Sequence, residues 1–193
     1  MLNAVAICGS PRTNGNTEKM LQKCLQVLQD AGIDGELVRL ANKVMLPCVA
    51  CGSCGKNKDK QCVIKDDDFD EIFIKMLRAD IIIVGSPVYF GSATPQLMSL
   101  LDRAGYVSRS NGGLFGRKIG GPVVVARRAG QNFTFAQLLY WFLIGEMVVP
   151  GSTYWNVGIG HKPGEVLDDQ EGMETITRFA ENVAWVAKKL YPV

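Results

Sequence analysis

Short runs of β-branched and aliphatic residues alternate along this chain with stretches whose apolar positions recur every three or four residues. The runs fall at 2–8, 36–40, 80–85, 122–126 and 154–159 and predict five strands. Between the first two, Met20, Leu21, Cys24, Leu25 and Leu28 keep a helical spacing over 17–31, with Asn16 or Thr17 as cap and Gly32 as stop. Further helices are predicted over 67–78, 95–103, 133–147 and 168–190. The last places Met173, Ile176, Phe179, Ala180, Val183, Val186, Ala187 and Leu190 on one side. Strands alternating with helices predict an α/β protein with a parallel sheet covered on both faces. An open sheet of that kind binds ligands beyond the carboxyl ends of its strands, where the winding reverses. The loops after strands one, three and four are therefore where function is expected.

Composition narrows the setting. With 193 residues, 47% of them apolar, the chain suits one domain over 1–193 with a sizeable core, and it has no internal repeat or low-complexity linker. The first apolar run lacks a basic lead-in and breaks at Gly9 to Pro11, so it reads as a strand and not as a secretory signal. The longest candidate membrane span, 138–150, is too short and contains Gly145 and Glu146. A cytoplasmic protein is the expectation. The net charge of +2, with both signs mixed along the chain, leaves no footprint for nucleic acid or a membrane surface.

A cytoplasmic setting makes the cysteines informative. Cys48, Cys51, Cys54 and Cys62 form C-x₂-C-x₂-C-x₇-C within an insertion at about 47–63. Reduced thiols so clustered point to a metal site or a redox centre before a disulfide framework. Three cysteines at successive three-residue spacing can reach successive corners of an iron–sulfur cube, and Gly52 and Gly55 let the backbone turn tightly around it. Zinc held by four thiolates, a regulatory disulfide and free thiols are the competing readings. Cys8, ending a strand, and Cys24, on a helix's apolar side, read as core residues.

The loop after strand one reads GSPRTNGNT. Ser10, Asn14, Asn16 and Thr17 offer donors, Arg12 brings charge, and the following helix presents free N–H groups, which together make a phosphate cradle. The chain contains no G-x-G-x-x-G after this strand and no G-x-x-x-x-G-K-[ST] anywhere. After strand three, GSPVYFGSATPQLMSLLDR sets Tyr89 and Phe90 beside Gly91, where a planar heterocycle could lie. An ordinary polar turn and a packing anchor are the plainer readings of these two loops.

Taken together, the two loops closely resemble those of the flavodoxin-like NAD(P)H-dependent FMN reductase family, and the cysteine motif is similar to that of its iron–sulfur flavoprotein branch. The segment PGEVLDDQEGM also resembles the family's lead into its last helix. The resemblance implies a flavodoxin-like, doubly wound five-stranded parallel sheet. It maps the FMN phosphate onto Ser10, Arg12, Asn14, Asn16 and Thr17, and the isoalloxazine and ribityl chain onto Pro87, Val88, Tyr89, Phe90 and Gly91. Arg127 and Gly130, in ARRAGQN, would border the pyrimidine side of the ring. Cys48, Cys51, Cys54 and Cys62 would hold one [4Fe–4S] cluster close to the flavin. Electrons would pass from NAD(P)H, or from another low-potential donor such as reduced ferredoxin, through FMN to an acceptor the sequence does not name. A homodimer or homotetramer with FMN at a subunit interface is also implied. A flavodoxin-like carrier without turnover of its own is the alternative, and a thiol-based redox sensor a third.

Other residues receive plainer expectations. Flavin hydride transfer needs no imidazole base, so His161 reads as structural and no side chain is assigned a catalytic role. Asp66 to Asp68 read as favourable charge at a helix N-terminus. The segment 133–149 is too apolar for a solvated helix, and part of it is expected at a subunit contact.

Overall fold

The computed structural model describes residues 2–191. Its strands are β1 (Asn3–Cys8), β2 (Asp34–Arg39), β3 (Ile81–Pro87), β4 (Ile119–Ala126) and β5 (Val157–Ile159). Its helices are α1 (Asn16–Asp30), α2 (Ser53–Asn57), α3 (Phe69–Arg78), α4 (Pro95–Ser110), α5 (Gln131–Ile144) and α6 (Gln170–Leu190), the last preceded by a 3₁₀ turn at Glu165–Asp168. The strands form one sheet in the order β2-β1-β3-β4-β5, parallel throughout. This is the flavodoxin-like α/β fold.

Side-chain alternation along the central strands builds two cores. Ala4, Ala6 and Cys8 of β1, with Ile81 and Ile83 of β3, pack against Met20, Leu21, Cys24 and Leu28 of α1 and the Ile176–Phe179–Val183 stripe of α6. The opposite faces carry Val5, Ile7, Ile82 and Val84 into a second core with α3, α4 and α5. Neighbouring strands come so close that a Cβ on Gly120 would lie 1.7 Å from the Ile82 carbonyl oxygen, so only glycine fits there. Because β1 connects outward to β2 while β3 lies on its other side, the winding reverses between β1 and β3. A crevice opens beyond their carboxyl ends.

Several boundaries differ from the sequence pattern for identifiable reasons. Helix α4 runs to Ser110, not 103, because Arg103 is buried and the apolar stripe continues through Ala104 and Val107. Helix α3 starts at Phe69, not 67, because Asp67 is engaged by Arg103 and the Leu46 N–H. Strand β5 is only Val157–Ile159: the Val157 N–H donates to the Trp155 carbonyl at 2.7 Å, a tight turn that leaves Tyr154 and Trp155 exposed. Strands β3 and β4 are longer than the predicted runs, and α6 begins two residues later than expected, at Gln170. The cysteine stretch, expected as a plain connection, contains α2, which packs on α4. Among the described residues no helix is long and apolar enough to cross a membrane.

Candidate functional site

The loops after β1, β3, β4 and β5 enclose a cavity of about 520 Å³, within the range of small-molecule sites. The β1–α1 loop is fastened to its neighbours through the backbone. The Gly9 N–H donates to the Gly85 carbonyl at 2.8 Å, and the Thr94 hydroxyl donates to the Gly9 carbonyl at 2.8 Å. A Cβ on Gly9 would stand 2.8 Å from Leu97 Cδ2, so the loop lies hard against α4. Gly15 is the N-cap of α1, and no side chain caps that helix. Its first N–H groups are thus open to an anion, with Arg12 on the same cavity wall.

Glu18, in the same first turn, sits buried with its charge answered. Arg39 contacts its carboxylate at 2.8 Å and the Asn14 N–H donates to it at 2.9 Å. The Arg39 hydrogen bond is the larger influence and, against the cost of burial, holds the Glu18 pKa below the usual carboxylate value. The anion site is therefore not opposed by a bare negative charge.

On the far wall, Tyr89 and Ser92 exchange backbone hydrogen bonds at 2.8 and 3.1 Å, closing a two-residue turn. Both turn residues are left-handed, Phe90 at φ +51° and Gly91 at +83°. Glycine tolerates this and phenylalanine does not, yet the turn holds the Phe90 ring fully exposed at the cavity mouth. Flat apolar groups and an open anion site face one space.

Of the sequence-assigned residues, Ser10, Arg12, Asn16, Thr17, Pro87, Val88, Tyr89, Phe90 and Arg127 line this cavity. Asn14, Gly91 and Gly130 do not line it. The Asn14 backbone N–H donates to Glu18, Gly91 forms the turn's tip, and Gly130 caps α5 beneath Val88, whose Cγ1 would be 2.9 Å from a Cβ there. The Asn16 side chain reaches across the molecule instead of into open space. Its Oδ1 accepts from the Gly164 and Val166 N–H groups at 2.7 and 3.3 Å, and its Nδ2 donates to the Lys162 carbonyl at 2.9 Å. That latch brings Gly160, His161 and Pro163 into the wall, which together with Val125 carry no signal for this site in the sequence; Gly15, a glycine of the phosphate-cradle loop, lines it too. A polar residue at a helix start gives no sign of a partner almost 150 positions away.

A second cavity, of about 300 Å³, is lined by Cys48, Cys51, Cys54 and Cys62 together. Its other walls include Val49, Val63, Ile64, Tyr106 and Val107. Gly52 at φ +74° and Ala50 at +52° turn the chain around it. The Cys54 thiol lies 3.7 Å from the Ser110 hydroxyl, and hydrogen bonding to Ser53 lowers the pKa of the exposed Cys51. All six cysteines are free thiols. Burial raises Cys8 to about 11 and pushes Cys24 up as well, as suits core thiols. Among the described residues, no three His, Cys, Asp or Glu side chains converge as ligands of a single metal ion.

This second cavity shares no lining residue with the first. It lies against α4 from Arg103 to Ser110, roughly 12–22 Å along that helix from its start beside Gly9. Asp67 accepts from the Phe69 N–H at the start of α3 at 3.3 Å, as a helix-end charge should, and is in addition the buried partner of Arg103.

The comparisons with known proteins agree with this geometry. The family model described as NADPH-dependent FMN reductase matches residues 2–162. The chain belongs to that family. An iron-sulfur flavoprotein of Methanocaldococcus jannaschii is 39% identical, over 97% of this chain and 98% of its own length. Another, from Methanosarcina thermophila, is 36% identical over 94% and 93%. In structure, RosB, solved with bound 8-demethyl-8-formylriboflavin 5'-phosphate, superposes with a TM-score of 0.76 at 19% identity, over 98% of this chain and 80% of RosB. A WrbA-like flavodoxin from Agrobacterium tumefaciens gives 0.67 at 16% identity, over 98% and 99%. Family membership makes the chain a flavin-dependent oxidoreductase, and the structural neighbours carry the fold.

Proposed function

We propose that the protein binds FMN in the 520 Å³ cavity and passes electrons through it from NAD(P)H, or another low-potential donor, to an acceptor. The observation that carries this is the pairing, in one cavity, of an uncapped helix N-terminus with a strained aromatic turn. The opening N–H groups of α1 and the Arg12 guanidinium would hold a single terminal phosphate, and the absence of any dinucleotide motif favours FMN over FAD. Tyr89 and Phe90 would flank the ring, and Arg127 would border its polar edge. FMN supplies acceptance of a hydride and return of electrons singly or in pairs. The polypeptide's part is to orient the ring, to keep one face open to a donor, and to shield the rest from water.

We further read the cysteine cavity as the site of a [4Fe–4S] cluster. Four thiols around one largely apolar space suit a polynuclear centre, whereas zinc needs its ligands drawn to a point. The relatives' name, iron-sulfur flavoprotein, supports the same reading. A self-associated state completes the proposal: Phe133, Tyr140, Leu143 and Ile144 leave the outer face of α5 exposed and apolar, as a contact between copies requires.

Anaerobic purification tests both centres. The expected result is released FMN by mass spectrometry, four iron and four sulfide per chain, and a cluster signal in electron paramagnetic resonance after reduction. FAD alone, or stoichiometric zinc, would overturn the respective assignment. Steady-state NAD(P)H oxidation with a small acceptor separates an enzyme from a carrier, which needs a partner reductase.

A further inference from the structure

We propose that Arg103 is a positioning residue for the cysteine cavity, a fixed donor in the wall it shares with Cys62 that raises the reduction potential of the centre held there. The proposal rests on the iron–sulfur reading of that cavity. Arg103 is 1% exposed, on the core-facing side of α4, and forms part of the cavity wall. Its guanidinium is almost fully committed: Nη1 donates to Asp67 and to the Leu46 carbonyl, Nη2 donates to the Ile64 carbonyl at 2.9 Å, and the plane lies 4.0 Å over the Phe69 ring. Asp67 is pinned in turn by the Leu46 N–H at 2.8 Å. The guanidinium therefore cannot swing away.

One group is left over. The buried Nε–H meets no acceptor among the described residues, and a buried donor left without one is destabilising. Cys62 lines the same cavity as Arg103. A sulfur that becomes more electron-rich, as a thiolate ligand does, is the acceptor this donor lacks. Hydrogen bonds to ligand sulfurs and nearby positive charge favour the reduced, more negative form of an iron–sulfur centre. Arg103 supplies the donor, while Asp67 answers its charge.

The test is a potentiometric titration of the full-length, anaerobically prepared protein, with the FMN couple read in the same sample as an internal reference. Two variants are compared with wild type: Arg103→Lys, which keeps the charge and loses Nε, and Arg103→Met with Asp67→Asn, which removes the buried pair without stranding a carboxylate. The expected result is a cluster potential shifted downward in both, with the FMN couple unmoved and iron content retained in Arg103→Lys. An unmoved cluster potential at full iron content would overturn the role of Arg103. So would loss of iron from both variants in folded, FMN-replete protein, which would make Arg103 a structural prop. Absence of a cluster from wild-type protein would instead sink the iron–sulfur reading itself.

Discussion

Phe90 concentrates the conflict between stability and function in one residue. An L-residue with a side chain costs roughly 1–2 kcal/mol in the left-handed region, and asparagine is among the few that tolerate it. Followed by Gly91, an asparagine would give the Asn-Gly pair that two-residue turns of this hand prefer. Phe90→Asn is therefore expected to leave unfolding free energy unchanged or raise it by about 0.5–1 kcal/mol in urea titrations. FMN affinity should fall about 2- to 10-fold, the equivalent of roughly 0.5–1.5 kcal/mol of lost aromatic contact. A variant that binds FMN as tightly as wild type would remove Phe90 from the ring site. From sequence, Tyr89 and Phe90 were legible as candidate ring neighbours because aromatic residues beside glycine at a strand's end are conspicuous. The strain was not, since a backbone sign is visible only once the Tyr89–Ser92 bridge closes the turn.

At the scale of elements, α1 is held at its N-terminus by contacts from the other end of the chain. Asn16 ties it to the segment that precedes α6, so the anion site and the wall carrying His161 and Pro163 form one unit. Two substitutions separate the latch from the electrostatics. Asn16→Ala strands the Gly164 and Val166 N–H groups and should cost about 1–3 kcal/mol of stability. Asn16→Asp keeps the accepting oxygen and adds a charge that the helix N-terminus favours, so its stability should stay above that of the alanine variant. FMN affinity should rank the other way, because the carboxylate repels a phosphate at the neighbouring N–H groups. The two rankings, from thermal unfolding and fluorescence titration, are thus expected to cross. Matching rankings would mean that Asn16 acts on the flavin only through the fold. The five long helices were legible from their apolar positions, the short α2 was not; what the helices hold at their ends was not either, because capping and latching depend on residues brought close only by the sheet.

Across the whole molecule, the parallel sheet was legible because buried strands announce themselves as short apolar runs, and the crevice followed from the order in which such strands are wound. The path of the connection after β2 was not legible. It is fixed by Arg103, a charged residue at a core-facing position of α4, which draws Asp67, Leu46 and Ile64 inward. That tie sets the cysteine cavity against α4 from Arg103 to Ser110. A charged residue on the stripe formed by Leu97, Leu100, Ala104 and Val107 was the available signal, and it reads as a helix end until its partner is seen. The separation of the two cavities makes them chemically independent within one chain. Cys48→Ala should therefore abolish the iron and sulfide content while leaving one FMN per chain at wild-type affinity, since no residue lines both sites. Anaerobic chelation of iron from the wild-type protein should reproduce that outcome without any substitution. Joint loss of FMN and iron in either experiment would show that the sites are coupled, either through α4 or through contact between copies, and the independence drawn from the single chain would fail.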